Sequence, residues 1–352
     1  MKKVFKFIMV LSIVLTLSVM AYAEEDRTLE NNQWYLNGYF YEVNYNGQVQ
    51  SGPSISALSD EIKYVGSSDD VTTSIAVTKD NIFLGFYNAE YGYFPYNNGW
   101  AVYHKDTKEW TGKPAGIPET YAGSPTRFFM KDDVLHTVLS ELEYELYPKV
   151  YKTLDGITWQ ETTLIPSNAS ISSWAEKEVS EAIALKLVPE SLQSKFTQDI
   201  NRLEFCQLIV NYLDVKGWDG IDTLMASKKM TLKTNPFSDT NDKNVNYAYS
   251  MGIINGKTLT TFDPKGKITR EEAAVMLHRT LKIFEDESKV TPASFKDKGT
   301  FASWSDSAIA TIGALEIMNG KSGNIFAPKD SYTREQAYMT IDRLFKYLIY
   351  KN

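Results

Sequence analysis

Three arginines carry the most informative chemistry in this chain. Arg202, Arg270 and Arg334 each stand at the first position of a predicted helix, 68 and then 64 residues apart. A guanidinium beside the amides of a helix N-terminus can hold a carboxylate or a phosphate through two hydrogen bonds. The helix dipole makes a cation at this position mildly unfavourable, so the arginines need an explanation of their own. Two are open: each binds an acidic ligand, or each pairs with an acid of a neighbouring unit.

A helix-start signal surrounds each arginine. The residue before it has a side-chain oxygen, and a Glu or Gln follows three residues later, which is the pattern of a capping box. Apolar residues then recur at helical spacing and predict one buried stripe per helix. A shorter helical pattern and a turn precede each long helix, so one unit is used three times. The capping pairs are Asn201 with Glu204, Thr269 with Glu272, and Thr333 with Gln336.

Two tryptophans occupy equivalent places at the start of shorter helical patterns. The segments 173–176 and 303–306 both begin with Ser and end with an acid, so each is predicted to be a capping box. Trp174 and Trp304 are the second residues of these segments. Each ring could stack on a sugar face or serve as a packing residue.

The second and third units share further residues at the same places. Each has a Phe-x-Asp motif, ending in Asp239 or Asp297, and a turn that holds Gly256 or Gly320 and then a Pro. With these motifs, residues 171–350 resemble three S-layer homology domains, the modules that tether exported proteins to bacterial envelopes. The three repeats are assigned to residues 167–215, 235–286 and 293–350.

The resemblance implies an all-α bundle of pseudo-threefold symmetry. In the family, grooves between the repeats bind a secondary cell-wall polysaccharide, often one carrying ketal-linked pyruvate. That ligand is acidic, as the arginines would require. The polysaccharide-binding residues implied or proposed on this basis are Arg202, Arg270, Arg334, Gly256, Gly320, Asp239, Asp297, Trp174 and Trp304.

Repeat one departs from the family pattern. It has no Phe-x-Asp motif, and its turn, residues 187–190, lacks the glycine. In repeat three, Gln336 replaces the usual Glu, although a Gln can still complete a capping box. We therefore expect the groove built from repeat one to be the least able to bind.

The N-terminus predicts export. Three lysines, an apolar run over 7–20 and the small-x-small sequence 21–23 are typical of a signal peptide, assigned to residues 1–23. No later run of about 18 apolar residues predicts a membrane span. Without the three lysines of that segment, 34 basic residues face 44 acidic ones, a formal charge of −10. This disfavours nucleic acid as a partner.

Residues 24–166 have the pattern of an all-β domain, either propeller-like or a sandwich. Short aromatic and β-branched runs alternate with turn residues, and the clearest hairpin covers 149–160. Its Thr-x-Asp-Gly-x-Thr-Trp core resembles the Asp-box of sialidase-like propellers. Sialidase chemistry needs several arginines, and this domain has only Arg27 and Arg127. The aromatic cluster over 87–100 fits either a glycan platform or β-core packing.

No residue pattern predicts catalysis, a metal or a cofactor. His104, His136 and His278 are isolated, and Cys206 is the only cysteine. We expect a non-enzymatic protein of the cell wall or S-layer surface that binds wall polysaccharide and displays its β-domain. Alternatives are a glycan-binding adhesin, a carbohydrate-active enzyme with its site in the β-domain, or repeats that serve only assembly. The sequence leaves the oligomeric state open.

Overall fold

The computed structural model describes residues 32–36, 39–44, 48–52, 60–63, 70–88, 99–117, 124–140, 148–166, 168–216, 220–285 and 290–350. The predicted signal peptide and most of the aromatic cluster over 87–100 lie outside these ranges. The chain divides into two compact units, Met1–Thr163 and Leu164–Asn352. The expected boundary was at Pro166. Each unit is described by itself below.

The N-terminal unit contains, among the described residues, three four-stranded antiparallel sheets made of consecutive strands. The first holds β1 (Gln33–Leu36), β2 (Tyr39–Val43), β3 (Gln48–Gly52) and β4 (Asp60–Lys63). The second holds β5 (Asp70–Val77), β6 (Asn81–Asn88), β7 (Trp100–His104) and β8 (Glu109–Thr111). The third holds β9 (Ser124–Lys131), β10 (Val134–Ser140), β11 (Lys149–Thr153) and β12 (Trp159–Thr162). The predicted antiparallel β-structure is confirmed, whereas the propeller and the sandwich both stay predictions.

One hydrophobic core joins the three sheets. Trp34, Trp100 and Trp159 come from different sheets and are all fully buried. The Trp159 ring meets Phe83 and Trp100 edge-on, with ring centroids 5.4 and 5.6 Å apart. Edge-on aromatic pairs add to the free energy that their buried area contributes. The described tryptophan of the aromatic cluster, Trp100, is therefore a core residue and not part of an exposed platform.

The hairpin of β11 and β12 has the turn geometry that its sequence predicts. Asp155 Oδ1 accepts hydrogen bonds from the backbone amides of Thr158 at 2.7 Å and Ile157 at 2.8 Å, and from Thr153 Oγ1 at 3.0 Å. The two amide bonds stabilise the carboxylate and lower the pKa of Asp155 to about 2. The aspartate thus holds the turn while Trp159 fills the core.

The C-terminal unit is helical. The first predicted repeat contains α1 (Glu176–Ala184) and α2 (Arg202–Lys216), and α3 (Ile221–Ser227) follows it. The second contains α4 (Lys243–Ser250) and α5 (Arg270–Phe284), and the third contains α6 (Asp306–Ala314) and α7 (Arg334–Tyr350). Each long helix begins at its arginine, as predicted. No helix of the described residues is both long and apolar enough to cross a membrane.

The three predicted capping boxes at the long helices are confirmed. Thr269 and Glu272 exchange both bonds, with the Thr269 amide donating to Glu272 Oε2 at 3.0 Å. The same exchange occurs between Asn201 and Glu204 and between Thr333 and Gln336. The amides at the arginine position are also occupied, since each donates to a carbonyl in the loop before the next long helix. These bonds run from Arg202 to Gly266, from Arg270 to Asp330, and from Arg334 back to Gln198.

The last of these bonds closes a cycle, because repeat three returns to repeat one. The three helix starts consequently do not present free amides at the arginine position, which the anion-site prediction assumed. Residues of the neighbouring repeat satisfy them instead, as buried backbone groups require. The anion-site prediction therefore rests on the arginine side chains alone.

The predicted capping boxes at 173–176 and 303–306 are wrong. Ala175 and Ser305 are the N-caps of α1 and α6, and neither makes a side-chain capping bond. Instead, a carboxylate from the preceding repeat bonds to residues of the turn that leads into each short helix. Glu335 accepts from the Ser172 amide at 2.9 Å, and Glu271 accepts from the Ser305 hydroxyl at 3.0 Å. The short helices are therefore tied to the long helix of the repeat before them.

Candidate functional site

Arg270 reaches from repeat two into the turn of repeat three. Its Nε donates to the Phe326 carbonyl at 2.9 Å and its Nη2 to the Asn319 carbonyl at 2.8 Å. The guanidinium lies 4.9 Å from the centre of the Phe326 ring, within the range of a cation–π contact. Burial lowers the pKa of Arg270, although an arginine keeps its charge in proteins. The residue thus places a cation at the boundary between two repeats.

Arg202 repeats this arrangement, and Arg334 repeats it in part, since its buried Nε makes no hydrogen bond. Arg202 donates through Nε to the Phe262 carbonyl at 2.9 Å and through Nη2 to the Asn255 carbonyl at 3.2 Å. Arg334 donates through Nη1 to the Ser194 carbonyl at 2.8 Å, in the turn of repeat one. Each arginine therefore holds the turn of the next repeat, whatever else it binds.

The three arginines differ in their ion pairs. Arg202 Nη1 lies 3.6 Å from Glu272 Oε1, and Arg334 Nη2 lies 2.7 Å from Glu204 Oε1. Both partners are the last residue of the next repeat's capping box. At the matching place beside Arg270 stands Gln336, which is uncharged. Within the described part of the chain, Arg270 makes no ion pair.

Arg270 lines a groove with a volume of 230 Å³. Three of the predicted site residues meet there, and they come from three different repeats: Trp174 from the first, Arg270 from the second and Gly320 from the third. The Trp174 side chain is 57% exposed, so its ring is open to a ligand. The full lining is Trp174, Arg270, Met318, Asn319, Gly320, Lys321, Tyr332, Gln336, Met339, Thr340 and Arg343. We call this space the Arg270 groove.

The lining of the Arg270 groove has three basic side chains and no acidic one. Arg343 forms a two-bond pair with Glu178, at 2.6 and 2.8 Å. Lys321 pairs with Asp330. A concave surface with an exposed indole, polar amides and an arginine without an ion pair can bind an acidic saccharide.

Asp239 and Asp297 shape the turns. The two oxygens of Asp239 accept from the backbone amides of Phe262 and Asp263, both at 2.8 Å. These bonds, the one from Phe262 above all, lower the pKa of Asp239. Asp297 holds the equivalent turn of repeat three through the amides of Phe326 and Ala327. Neither aspartate lines the Arg270 groove. The hydrogen bonds described above join each of them to backbone amides of a turn.

The two turn glycines are not equivalent in their surroundings. A Cβ at Gly256 would lie 2.2 Å from the Thr258 carbonyl oxygen, closer than any side-chain atom can approach. At Gly320 the nearest atom, the Ile325 carbonyl oxygen, would be 3.1 Å away. Gly256 is therefore required by the turn itself, whereas Gly320 also lines the Arg270 groove.

A second set of predicted residues occupies the equivalent sequence positions one step round the cycle. Arg202 comes from repeat one, Gly256 from repeat two and Trp304 from repeat three. Trp304 precedes the N-cap of α6 as Trp174 precedes that of α1, and it is also 57% exposed. Glu272 occupies the place of Gln336 in this set.

The third set is the poorest in predicted ligand-binding residues. Arg334 is paired with Glu204, and the turn of repeat one has no glycine. Where the other sets have a tryptophan, repeat two has Asn241, the residue before the Asp242 N-cap of α4. A groove here would offer neither a free cation nor an aromatic ring.

Two basic residues of the Arg270 groove were missed by sequence reasoning. Lys321 follows the turn glycine just as Lys257 does, so the repeated Asn-Gly-Lys was the available signal. Arg343 lies nine residues after Arg334, as Arg279 lies nine after Arg270. In the described ranges no group of three or more His, Cys, Asp or Glu residues could hold a metal ion.

Comparison with known proteins supports part of the repeat assignment. The S-layer homology domain family matches residues 236–274 and 294–337. The match covers parts of two of the three predicted repeats, and residues 167–215 lie outside it. S-layer homology domains indicate association with the cell surface.

Three relatives match about half of this chain. They are an endoglucanase of Bacillus sp. (strain KSM-635), 25% identical over 185 residues, an amylopullulanase of Thermoanaerobacterium thermosulfurigenes, 28% over 170, and the exoglucanase XynX of Acetivibrio thermocellus, 28% over 177. The matches cover 51, 47 and 47% of this chain but only 18, 9 and 15% of those proteins. A quinohemoprotein alcohol dehydrogenase from Pseudomonas putida HK5 matches 46% of this chain and 26% of its own, with a TM-score of 0.26 and 11% identity.

Proposed function

We propose that this chain is an exported protein whose helical unit binds an acidic secondary cell-wall polysaccharide and so anchors the protein without a covalent bond. The observation that carries the proposal is the Arg270 groove, where an arginine without an ion pair meets an exposed tryptophan and a turn glycine. The chain's two S-layer homology segments support the cell surface as the location. The predicted signal peptide over residues 1–23 supports export.

We further propose that residues 167–215 are a third, diverged repeat and that the unit is a bundle of pseudo-threefold symmetry. The support is the cycle of arginine contacts, which uses repeat one as it uses the other two. Trp174 gives this repeat a part in binding even though its own turn lacks the glycine. Our expectation that the groove built from repeat one is the least able to bind then concerns the groove at the turn of repeat one, which faces Arg334.

In this proposal the β unit is displayed on the cell and has no enzymatic role. The alternative, a carbohydrate-active enzyme with its site in the β unit, draws support from the relatives, since their names are those of carbohydrate-cleaving enzymes. A direct assay would decide between the two. The chain would be incubated with soluble cellulose and starch derivatives, and release of reducing ends at a rate above that of a heat-denatured control would establish an enzyme.

The anchoring proposal is tested by sedimentation with purified bacterial cell walls. The chain beginning at Glu24 would be mixed with walls before and after acid extraction of the secondary polymer. Binding is expected to require the polymer. Binding that is equal on extracted walls would overturn the proposal.

A variant separates groove binding from non-specific adhesion. Trp174→Ala removes an exposed ring and leaves the buried contacts of the repeats in place. We expect it to weaken sedimentation at least fivefold, since one stacked sugar ring is lost. An exposed tyrosine of the β unit, Tyr39, is 49% exposed and provides the matched control, Tyr39→Ala.

A further inference from the structure

We infer that Gln336 determines which groove of this protein accepts an acidic ligand: it leaves Arg270 available, whereas the arginines of the other two repeats are neutralised by the protein's own glutamates. This inference rests on the proposed function and names the residue that sets its specificity. It follows from comparing the same capping-box position in three repeats.

The glutamate of repeat two uses its two oxygens for different purposes. Glu272 Oε2 accepts the capping bond from the Thr269 amide at 3.0 Å. Its Oε1 faces the boundary between repeats, 3.6 Å from Arg202 Nη1 and 2.5 Å from Lys257 Nζ. One carboxylate therefore completes the helix cap and also pairs with the two cations beside it.

Gln336 keeps the capping role of Glu272 but cannot pair with a cation as the Glu272 carboxylate does. Its Oε1 accepts the capping bond from the Thr333 amide at 3.3 Å. A backbone amide can donate only to an oxygen here, so the other terminal atom of Gln336 must be the amide nitrogen, which is a donor. Where Glu272 presents an acceptor to Arg202, Gln336 thus has N–H groups at the equivalent position, and it lines the same groove as Arg270.

The local charge changes accordingly. In the Arg202 set, the Glu272 carboxylate would repel an incoming anion and compete with it for the guanidinium. In the Arg270 groove no lining residue is acidic, although Asp330 and Asp297 outside the lining attract Arg270. Lys321, the counterpart of Lys257, pairs with Asp330. Two of the five donors of Arg270 bind carbonyls, and the other three make no hydrogen bond with a described residue, although the residue as a whole is only 5% exposed.

The chemistry favours one ligand class, a saccharide that carries a carboxylate or a phosphate. An anion can accept from the Arg270 guanidinium and the Gln336 amide at once, and charge-assisted bonds of this kind are strong. The exposed Trp174 ring offers a stacking face for the attached sugar. A neutral sugar would gain the stacking contact without the charged bonds.

Two isosteric substitutions form the test. Gln336→Glu places a carboxylate beside Arg270, and Glu272→Gln removes one beside Arg202, while either residue type completes the cap. Polymer released from the walls would be titrated into each full-length variant by calorimetry. We expect Gln336→Glu to weaken binding at least tenfold and Glu272→Gln to bind at least as tightly as the wild type. Binding of Gln336→Glu within twofold of the wild type would overturn the inference.

Small anions make this result independent of the wall. Pyruvate and inorganic phosphate would be titrated in turn while tryptophan fluorescence is recorded, with Trp174→Phe as the control that identifies the signal. A Trp174 signal that Gln336→Glu abolishes would support the inference even if the chain does not bind wall polymer. Polymer binding that is unchanged in Gln336→Glu would remove the inference and leave anchoring intact.

A modified polymer shows whether the recognised acidic group is a carboxylate or a phosphate. A polymer whose carboxylates have been converted to amides with a carbodiimide is expected to lose binding if the carboxylate is the recognised group. If phosphate is recognised, the amidated polymer binds as before and inorganic phosphate competes. Equal binding of a neutral, anion-free polymer would contradict the inference in both forms.

Discussion

Arg334 Nη2 lies 2.7 Å from Glu204 Oε1, and this contact joins the last repeat to the first across 130 residues of chain. The other two boundaries place the arginine over a phenylalanine ring, Phe262 or Phe326. At the boundary that closes the cycle, ion pairs are prominent: Arg343 with Glu178, and Lys346 with Glu181. Ion pairs also cross the other two boundaries, Arg202–Glu272 and Lys267–Asp199 at one and Lys329–Glu271 at the other, so charge contributes at all three.

Arg334→Ala should destabilise the helical unit. The change leaves the largely buried Glu204 carboxylate and the Ser194 carbonyl without their donor, and removing one partner of a buried pair is costly. We expect a loss of roughly 2–3 kcal/mol in the free energy of unfolding, measured by urea denaturation. The exposed Lys228→Ala is the control and should change it by less than about 0.5 kcal/mol. An unchanged midpoint in Arg334→Ala would mean that the pair does not stabilise closure.

Trp174→Ala and Trp304→Ala should differ in ligand binding although both rings are 57% exposed. Trp174 lies beside an arginine without an ion pair, whereas Trp304 belongs to the set in which Glu272 neutralises Arg202. We expect polymer binding to fall at least fivefold in Trp174→Ala and less than twofold in Trp304→Ala, measured by calorimetry. Equal losses would show that both grooves bind.

Asp342→Asn should remove a pH dependence of stability. Asp342 and Glu181 share the ammonium of Lys346, at 2.6 and 2.5 Å, in a fully buried cluster. Burial and the nearby Glu181 outweigh the attraction of Lys346 and raise the pKa of Asp342 to about 7. The folded state therefore holds a proton that the unfolded state releases near pH 4, so stability falls as the pH rises from 4 to 7 and then levels off.

Thermal unfolding of both proteins between pH 5 and 8 measures this effect. The wild type should lose up to about 1.4 kcal/mol per pH unit relative to Asp342→Asn within the window. His136 acts in the opposite direction in the β unit, since burial lowers its pKa and stability is lost as the pH falls below about 6.5. It is present in both proteins and cancels in the difference. Parallel curves would contradict the assigned role of Asp342.

Asp155→Asn should weaken the β unit above pH 4 and become indistinguishable from the wild type in strong acid. The amides of Thr158 and Ile157 lower the pKa of Asp155 to about 2, so its contribution is present above the unfolded value near 4 and is lost as the pH falls through 2. Near-ultraviolet circular dichroism of the buried tryptophans follows unfolding of this unit. The exposed Glu109→Gln should behave as the wild type throughout, and a similar loss in it would point to general charge effects.

Local patterns were reliable wherever adjacent residues provide the partner. The capping boxes at Thr269, Thr333 and Asn201 formed as predicted because both of their bonds close within one helical turn. The predicted caps at 173–176 and 303–306 failed for the opposite reason. There the turn before each short helix is bonded to a carboxylate from another repeat, Glu335 or Glu271, and no local capping bond forms.

The arginines show the same difference between local features, which the sequence predicts, and long-range contacts, which it does not. Their position at the first residue of a helix could be predicted, but the choice between a ligand and an ion pair could not, because their contacts lie 49 to 140 residues away. The answer also differs among them. Arg202 and Arg334 pair with glutamates, and Arg270 meets a glutamine that sequence reasoning had treated only as a tolerable substitute in the cap.

By itself, the sequence determined the repeated unit, the starts of its long helices and the antiparallel β-structure before it, since periodicity and capping act over a few residues. Only the tertiary structure decided that the three units close into a cycle and that Trp174, Arg270 and Gly320, from three different repeats, line one groove. The physical reason is that each long-range contact depends on which side chain the neighbouring repeat presents. A single amide in place of a carboxylate, at Gln336, then distinguishes one groove from its counterparts.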